Sequence, residues 1–355
     1  MLDLGRPSIV DPSSKKAVKE ASLIYTSDEE AGIRRKGSKD SFVYLASNGR
    51  KLGEGRTLAR IRALAIPPAW TDVWICPHAN GHLQATGRDQ RGRKQYRYHP
   101  DWVAERDGEK FSSLIGFAEA LPGLRAQVDA DLGLRGLPLE RVVASVVWLL
   151  DNTTIRIGNA AYARENKSFG LTTLRDRHVD ITGSSLRFSF KGKSGKEWKL
   201  KLTDRRIAKV VRGAQELPGQ HLFQYIDADG ARRSVRSDDV NAYIRDATGT
   251  EFSSKHFRTW AGTVHAFMLL LTEEQPDSAS SGKRTLNRVI EKVAERLGNT
   301  RAVCRRCYVH PRVIESWQAG ELSSDVRTLR DRRSRQRSGL DEGEALLLRW
   351  LRKFG

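Results

Sequence analysis

The chain has 355 residues, with 62 Lys and Arg against 43 Asp and Glu and a formal net charge of +19. Such self-repulsion is relieved when a polyanion neutralises part of it, so nucleic acid is the leading partner and an anionic membrane the second. Three cysteines are too few for a disulfide framework. No stretch approaches the roughly 18 apolar residues of a membrane span, and MLDLGRPSIVDPSSKKA lacks the apolar run of a secretory signal, so a cytoplasmic location is expected.

Residues 1–22 are polar and expected to be poorly ordered. From 23 to 103, short apolar runs alternate with turn signals. SFVYLASNGRKL reads as a hairpin turning at Asn48-Gly49. DVWICPHANGHLQATGRDQRGRKQYRYHP reads as further strands, with turns at Gly81 and at Arg91-Gly92, and RTLARIRALAI as a helix among them. Beyond 103 the period lengthens. GEKFSSLIGFAEALPGLRAQVDADL and LERVVASVVWLLDNTTIRIGN place apolar residues at helical spacing. LRFSFKGKSGKEWKLKL alternates on both sides of GKSG and reads as a hairpin. EFSSKHFRTWAGTVHAFMLLL and TLNRVIEKVAERLG are helical, with a loop over 273–283 and a stop at Gly298. The Arg-rich RTLRDRRSRQR follows at 327–337 and is expected to fold as a helix or to contact DNA. The fold class is α+β: a small β-sheet-rich N-terminal domain (23–103) and a larger, mainly α-helical domain (104–355) holding a three-stranded or hairpin β element.

CRRCYVHP, residues 304–311, offers three chemistries. Cys304, Cys307 and His310 fall one ligand short of a closed zinc site, and Cys76 with His78 is the remaining half-set in the sequence. A redox C-x-x-C belongs beside a βαβ unit, which the pattern does not show. Spectator thiols are the simpler reading. Tyr308 is the third candidate. A phenol attacks well only where cations favour its phenolate form, and Arg301, Arg305 and Arg306 precede it. Attack on a phosphodiester also needs planar donors for the non-bridging oxygens and an acid for the leaving oxygen.

Four stretches together carry a resemblance: TIRIGNAAYARENKSFGLTTLRDRHV (154–179), FKGK (190–193), SKHFRTW (254–260) and GNTRAVCRRCYVHP (298–311). Their order and spacing are similar to those of type IB DNA topoisomerases, and most similar to the compact poxvirus-like enzymes found in bacteria. The resemblance spans about 23–320. It implies a two-domain clamp closing as a monomer on double-stranded DNA, with no metal and no cofactor. It also implies site residues. Arg156 matches the first catalytic arginine and Arg258 the second. Lys193 matches the general acid, with Lys191 and Lys196 as alternatives, and Lys255 a lysine that assists proton transfer. Tyr308 matches the nucleophile that becomes joined to a 3′-phosphate. Nine residues before it, where poxvirus and nuclear enzymes carry histidine, stands Asn299. Its amide donates a similar hydrogen bond but carries no charge.

GRDQRGRKQYRYH (87–99) is similar to the family segment that enters the major groove, which makes Gln95, Tyr96, Arg97 and Tyr98 DNA contacts. Asn159 and Tyr162 are the contacts implied in the catalytic domain. Two other readings stay open. Tyrosine recombinases have a similar set of two arginines, a lysine and a tyrosine, but carry His three residues before the second arginine, where this chain has Lys255. A non-catalytic duplex DNA-binding protein would keep the fold without the chemistry.

Overall fold

A computed structural model describes residues 22–38, 41–330 and 339–355. The chain divides into two compact units, one up to Ser112 and one from Ser113.

The first unit is built on an antiparallel sheet with strand order β2-β1-β3-β4-β5. Its strands are β1 (Ile33–Lys36), β2 (Val43–Leu45), β3 (Thr71–Ile75), β4 (Leu83–Arg88) and β5 (Lys94–Tyr98), with helix α1 (Arg56–Ala63) between β2 and β3. Alternation along β3 assigns its two faces. Val73 and Ile75 join Ile33, Ala85 and Ile61 of α1 in one core, while Trp74 and Cys76 pack with Leu83 in another. The turn at Asn48-Gly49 is present, and its far arm pairs only through the Leu45–Lys51 bridge. β5 lies at the sheet edge, where one side of its backbone is open to a partner.

Helix α2 (Pro100–Leu132) runs across the division. In the second unit, α3 (Leu139–Thr153) is apolar on nearly every side, as a helix at the centre of a core must be. It ends sooner than its periodicity predicts, because Thr154 takes a left-handed conformation (φ 57°) and turns the chain away. After α4 (Ala160–Asn166) comes an antiparallel sheet of β6 (Val179–Thr182), β7 (Ser185–Lys191) and β8 (Glu197–Thr203). It is the predicted hairpin plus one strand, with Leu186, Phe188 and Phe190 opposite Leu202, Leu200 and Trp198. Helix α5 (Arg205–Gln215), the ribbon β9 (Gln224–Ile226) and β10 (Arg232–Ser234), and α6 (Ser237–Thr248) follow.

Helices α7 (Ser254–Thr272) and α8 (Ala279–Leu297) pack on each other, and α7 also packs on α3. α8 begins inside the stretch read as a loop, because the Ser278 hydroxyl caps it by accepting from the Ser281 N–H. The short α9 (Arg301–Cys307), α10 (Pro311–Gln318) and α11 (Leu322–Arg330) lead to α12 (Glu342–Phe354). Arg327–Arg330 of the Arg-rich segment close α11; residues 331–337 and most of the 1–22 segment lie outside the described residues.

α12 fastens α7 from outside. Arg125 donates to Asp151 at 2.7 Å and to Glu344 at 2.8 Å, and Glu344 also accepts from Trp260 Nε1 at 3.0 Å. Burial raises the Glu344 pKa, yet the bonds from Arg125 outweigh it and hold the carboxyl below its usual value. Removing one member of such a set strands the others. Glu344→Ala is expected to cost about 3–5 kcal/mol of unfolding free energy. Urea denaturation measures it, and a loss under about 1 kcal/mol contradicts this role.

Candidate active site

Arg258 rises from the second turn of α7 and is only 4% exposed. Its Nη1 donates to the carbonyl of Thr154, which caps α3, and its Nη2 to that of Leu297, the last residue of α8, at 2.6 Å. Both acceptors sit at helix C-termini, where the macrodipole favours a cation. Burial lowers the Arg258 pKa, and the Tyr308 side chain, within its hydrogen-bonding reach, partly restores it.

Arg156 stands just beyond α3, with its backbone pinned by the bond from Leu171 N–H to its carbonyl (2.9 Å). Its Nη2 donates to Asn299 Oδ1 at 2.5 Å. Burial, and then repulsion from Arg258, push its pKa down to about 10, still well above neutral. Among the described residues neither guanidinium has a carboxylate partner.

Tyr308 ends α9 on a bent backbone (φ −135°, ψ 0°). The Arg258 guanidinium carbon lies 5.2 Å from its ring centroid. Two small residues of α7 let the tyrosine backbone come this close. A Cβ on Gly262 would lie 2.5 Å from the Tyr308 carbonyl oxygen. Thr263 Oγ1 accepts from the His310 N–H at 3.2 Å and sits 3.3 Å from that same carbonyl. Sequence reading missed both residues; the small residues one turn after Arg258 in RTWAGT were the available signal of close approach.

Asn299 follows Gly298, which closes α8 in the left-handed region (φ 58°). With Oδ1 taken by Arg156, its Nδ2 is buried and has no partner among the described residues; the same is true of Arg258 Nε. An unsatisfied buried donor costs about 1–3 kcal/mol. These donors and the two guanidiniums are therefore set up for an acceptor that carries negative charge.

The structure thus gathers Arg156, Arg258, Asn299 and Tyr308. Lys193 stands exposed on the turn at the β7–β8 tip, while Lys196, weighed as its alternative, donates from Nζ to the Asn299 carbonyl at 3.1 Å. Lys255 is exposed in the first turn of α7. Of the three arginines that precede the tyrosine, Arg301 pairs with Glu291 at 2.9 Å, and the guanidinium over the phenol comes from α7.

Cys304 is fully buried, and burial lifts its thiol to about 11 despite the nearby arginines. It is therefore a protonated thiol near neutral pH, poor as ligand or nucleophile. Among the described residues no three His, Cys, Asp or Glu side chains gather as a metal site.

On β5, alternation separates the predicted DNA contacts. The Tyr96 and Tyr98 rings stack at 6.0 Å on one face, both exposed. Gln95 donates to Asp89 (3.0 Å) and Arg97 to the Ala65 carbonyl (3.2 Å). Asn159 caps α4, accepting from the Tyr162 N–H, and the Tyr162 side chain is exposed.

Residues 93–332 match the catalytic core of eukaryotic DNA topoisomerase I, and residues 41–89 the N-terminal domain of bacterial DNA topoisomerase IB. DNA topoisomerase 1B of Acanthamoeba polyphaga mimivirus is 33% identical over 81% of this chain and 88% of its own length. DNA topoisomerase 1B of vaccinia virus (strain Copenhagen) is 20% identical over 72% of this chain and 80% of its own. The fold and these matches define a mixed α/β enzyme that acts on DNA. The chain belongs to the type IB DNA topoisomerase family.

His310, two residues after Tyr308, caps α10 by accepting from the Arg312 N–H at 3.2 Å. Burial, with Arg312 adding to it, pushes its pKa from 6.5 to about 4. The fold holds the neutral ring, so this stability is complete above the unfolded pKa and is lost as pH falls toward the folded one. Between pH 7 and pH 5 the parent should lose about 2 kcal/mol more than His310→Asn, which keeps a capping acceptor but does not titrate. Urea unfolding at the two pH values measures the difference, and equal losses contradict it.

Proposed function

We propose that this enzyme relaxes positive and negative supercoils in duplex DNA by transient cleavage of one strand through Tyr308. The observation that carries this reading is the convergence on one phenol of two guanidiniums that have no carboxylate partner among the described residues. Tyr308 Oη attacks the phosphorus in line. Arg156, Arg258 and the Asn299 amide hold the non-bridging oxygens as charge builds on them. Lys193, assisted by Lys255, protonates the departing 5′-oxygen. The product is a 3′-phosphotyrosyl link and a free 5′-hydroxyl. The broken strand swivels about the intact one, and the reverse attack reseals it.

Bond energy is kept in the phosphotyrosine, so the cycle needs no ATP. Side-chain cations serve the transition state, so it needs no divalent metal. The enzyme acts as a monomer clamped on duplex DNA of the cytoplasmic nucleoid. The 23–103 domain grips the duplex through the 87–99 segment, with Tyr96 and Tyr98 contacting DNA from one face of β5 and Gln95 and Arg97 from the other. Asn159 and Tyr162 add contacts from the catalytic domain, 104–355.

Plasmid relaxation tests the scheme. Tyr308→Phe should show no relaxation, Arg258→Ala should fall by about 100-fold or more, and the parent should keep its rate in EDTA. Relaxation by Tyr308→Phe at the parental rate, or a strict Mg²⁺ requirement, contradicts the proposal.

A further inference from the structure

Trp198 stands on β8 beside the turn that carries Lys193. Its cross-strand partner is Phe190, and the two rings lie 6.1 Å apart and nearly parallel, at 1°. The same indole meets glycine backbone in two other places. A Cβ on Gly192, the residue before Lys193, would lie 2.7 Å from Trp198 Cδ1; one on Gly298, the residue before Asn299, would lie 2.8 Å from Cζ2. Both distances are shorter than carbon atoms tolerate, so the ring fits only because neither residue has a side chain.

Backbone bonds tighten the same junction. Gly192 N–H donates to the Lys196 carbonyl at 2.7 Å, and Lys196 Nζ donates to the Asn299 carbonyl at 3.1 Å. Phe169 N–H donates to the Lys191 carbonyl at 2.8 Å, tying the loop after α4 to the same hairpin. Lys193 itself is exposed, on a turn whose Ser194 is left-handed (φ 61°). A flexible four-carbon stem carries its ammonium, so the turn beneath it decides where the charge stands.

We propose that Trp198 is a positioning residue: by seating the β7–β8 tip against Gly298-Asn299, it sets where the Lys193 ammonium stands relative to the scissile phosphate. This rests on Lys193 being the general acid. In that step Tyr308 Oη bonds to phosphorus, and the bond from phosphorus to the 5′-oxygen breaks. The departing oxygen takes a proton from Lys193, and the phenolic proton passes to solvent. A sulfur placed at the 5′-bridging position leaves as thiolate without that proton, since a thiol has a pKa of about 8.5. A defect in proton delivery therefore disappears on the sulfur substrate, whereas general damage to the site does not.

The experiment is single-turnover cleavage of matched duplexes with oxygen or sulfur at the bridging position, by the parent, Lys193→Ala, Trp198→Ala and Gly192→Ala. Gly192 has φ −92°, open to alanine, so the added methyl displaces the indole without backbone strain and serves even if Trp198→Ala does not fold. On oxygen, Lys193→Ala should lose about 100-fold or more and the other two about 10-fold. On sulfur all three should come within about threefold of the parent. If Lys193→Ala stays slow on sulfur, the general-acid reading fails. If Lys193→Ala is restored but Trp198→Ala and Gly192→Ala are slow on both substrates, or unimpaired on oxygen, the positioning role of Trp198 is overturned.

Discussion

Arg258 carries a positive charge at a point only 4% exposed, with no carboxylate partner among the described residues. A bare buried guanidinium would cost several kcal/mol. The fold meets that cost by aiming the C-terminal carbonyls of two helices at it, those of Thr154 after α3 and Leu297 at the end of α8. The same choice fixes the site. Arg156 leaves α3 two residues beyond Thr154, and Asn299 leaves α8 two residues beyond Leu297, so the two helix ends that Arg258 joins bring Arg156 Nη2 onto Asn299 Oδ1. The phenol ring then lies over Arg258.

α7 is the element through which these constraints act. One side presents Arg258, Gly262 and Thr263 to the tyrosine, the small residues admitting its backbone and the charge lying under its ring. Elsewhere on the helix, Trp260 and Phe267 meet Glu344 and Trp350 of α12. That helix lies beyond residue 332, where the match to the catalytic core ends. Glu344, outside the matched stretch, thus ties α7 through Trp260 to Arg125 and Asp151, which lie within it.

Local pattern made much of this legible. Alternation on both sides of GKSG located β7 and β8, and 3.6-residue periodicity located α2, α3, α7 and α8. Failures came where a distant contact or a single backbone angle decides. The left-handed Thr154 cut α3 short of its periodic run. Arg301, close to Tyr308 in sequence, is drawn off by Glu291, while the guanidinium over the ring comes from another helix. The bond from Lys196 to the Asn299 carbonyl spans elements far apart in the chain, and nothing in GKSGK announces it. On β5, QYRY reads as one contact segment, yet the strand pleat separates the stacked tyrosines from Gln95 and Arg97.

At the centre is a phenol held over buried positive charge, beside donors that lack a partner among the described residues. Covalent trapping on a duplex whose cleaved strand loses its 5′ end by dissociation tests this most directly. Peptide mass mapping of the denatured adduct then locates the link. The account predicts one DNA-bearing peptide, with the nucleotide on Tyr308. A link to any other residue, or no adduct from folded enzyme, contradicts it.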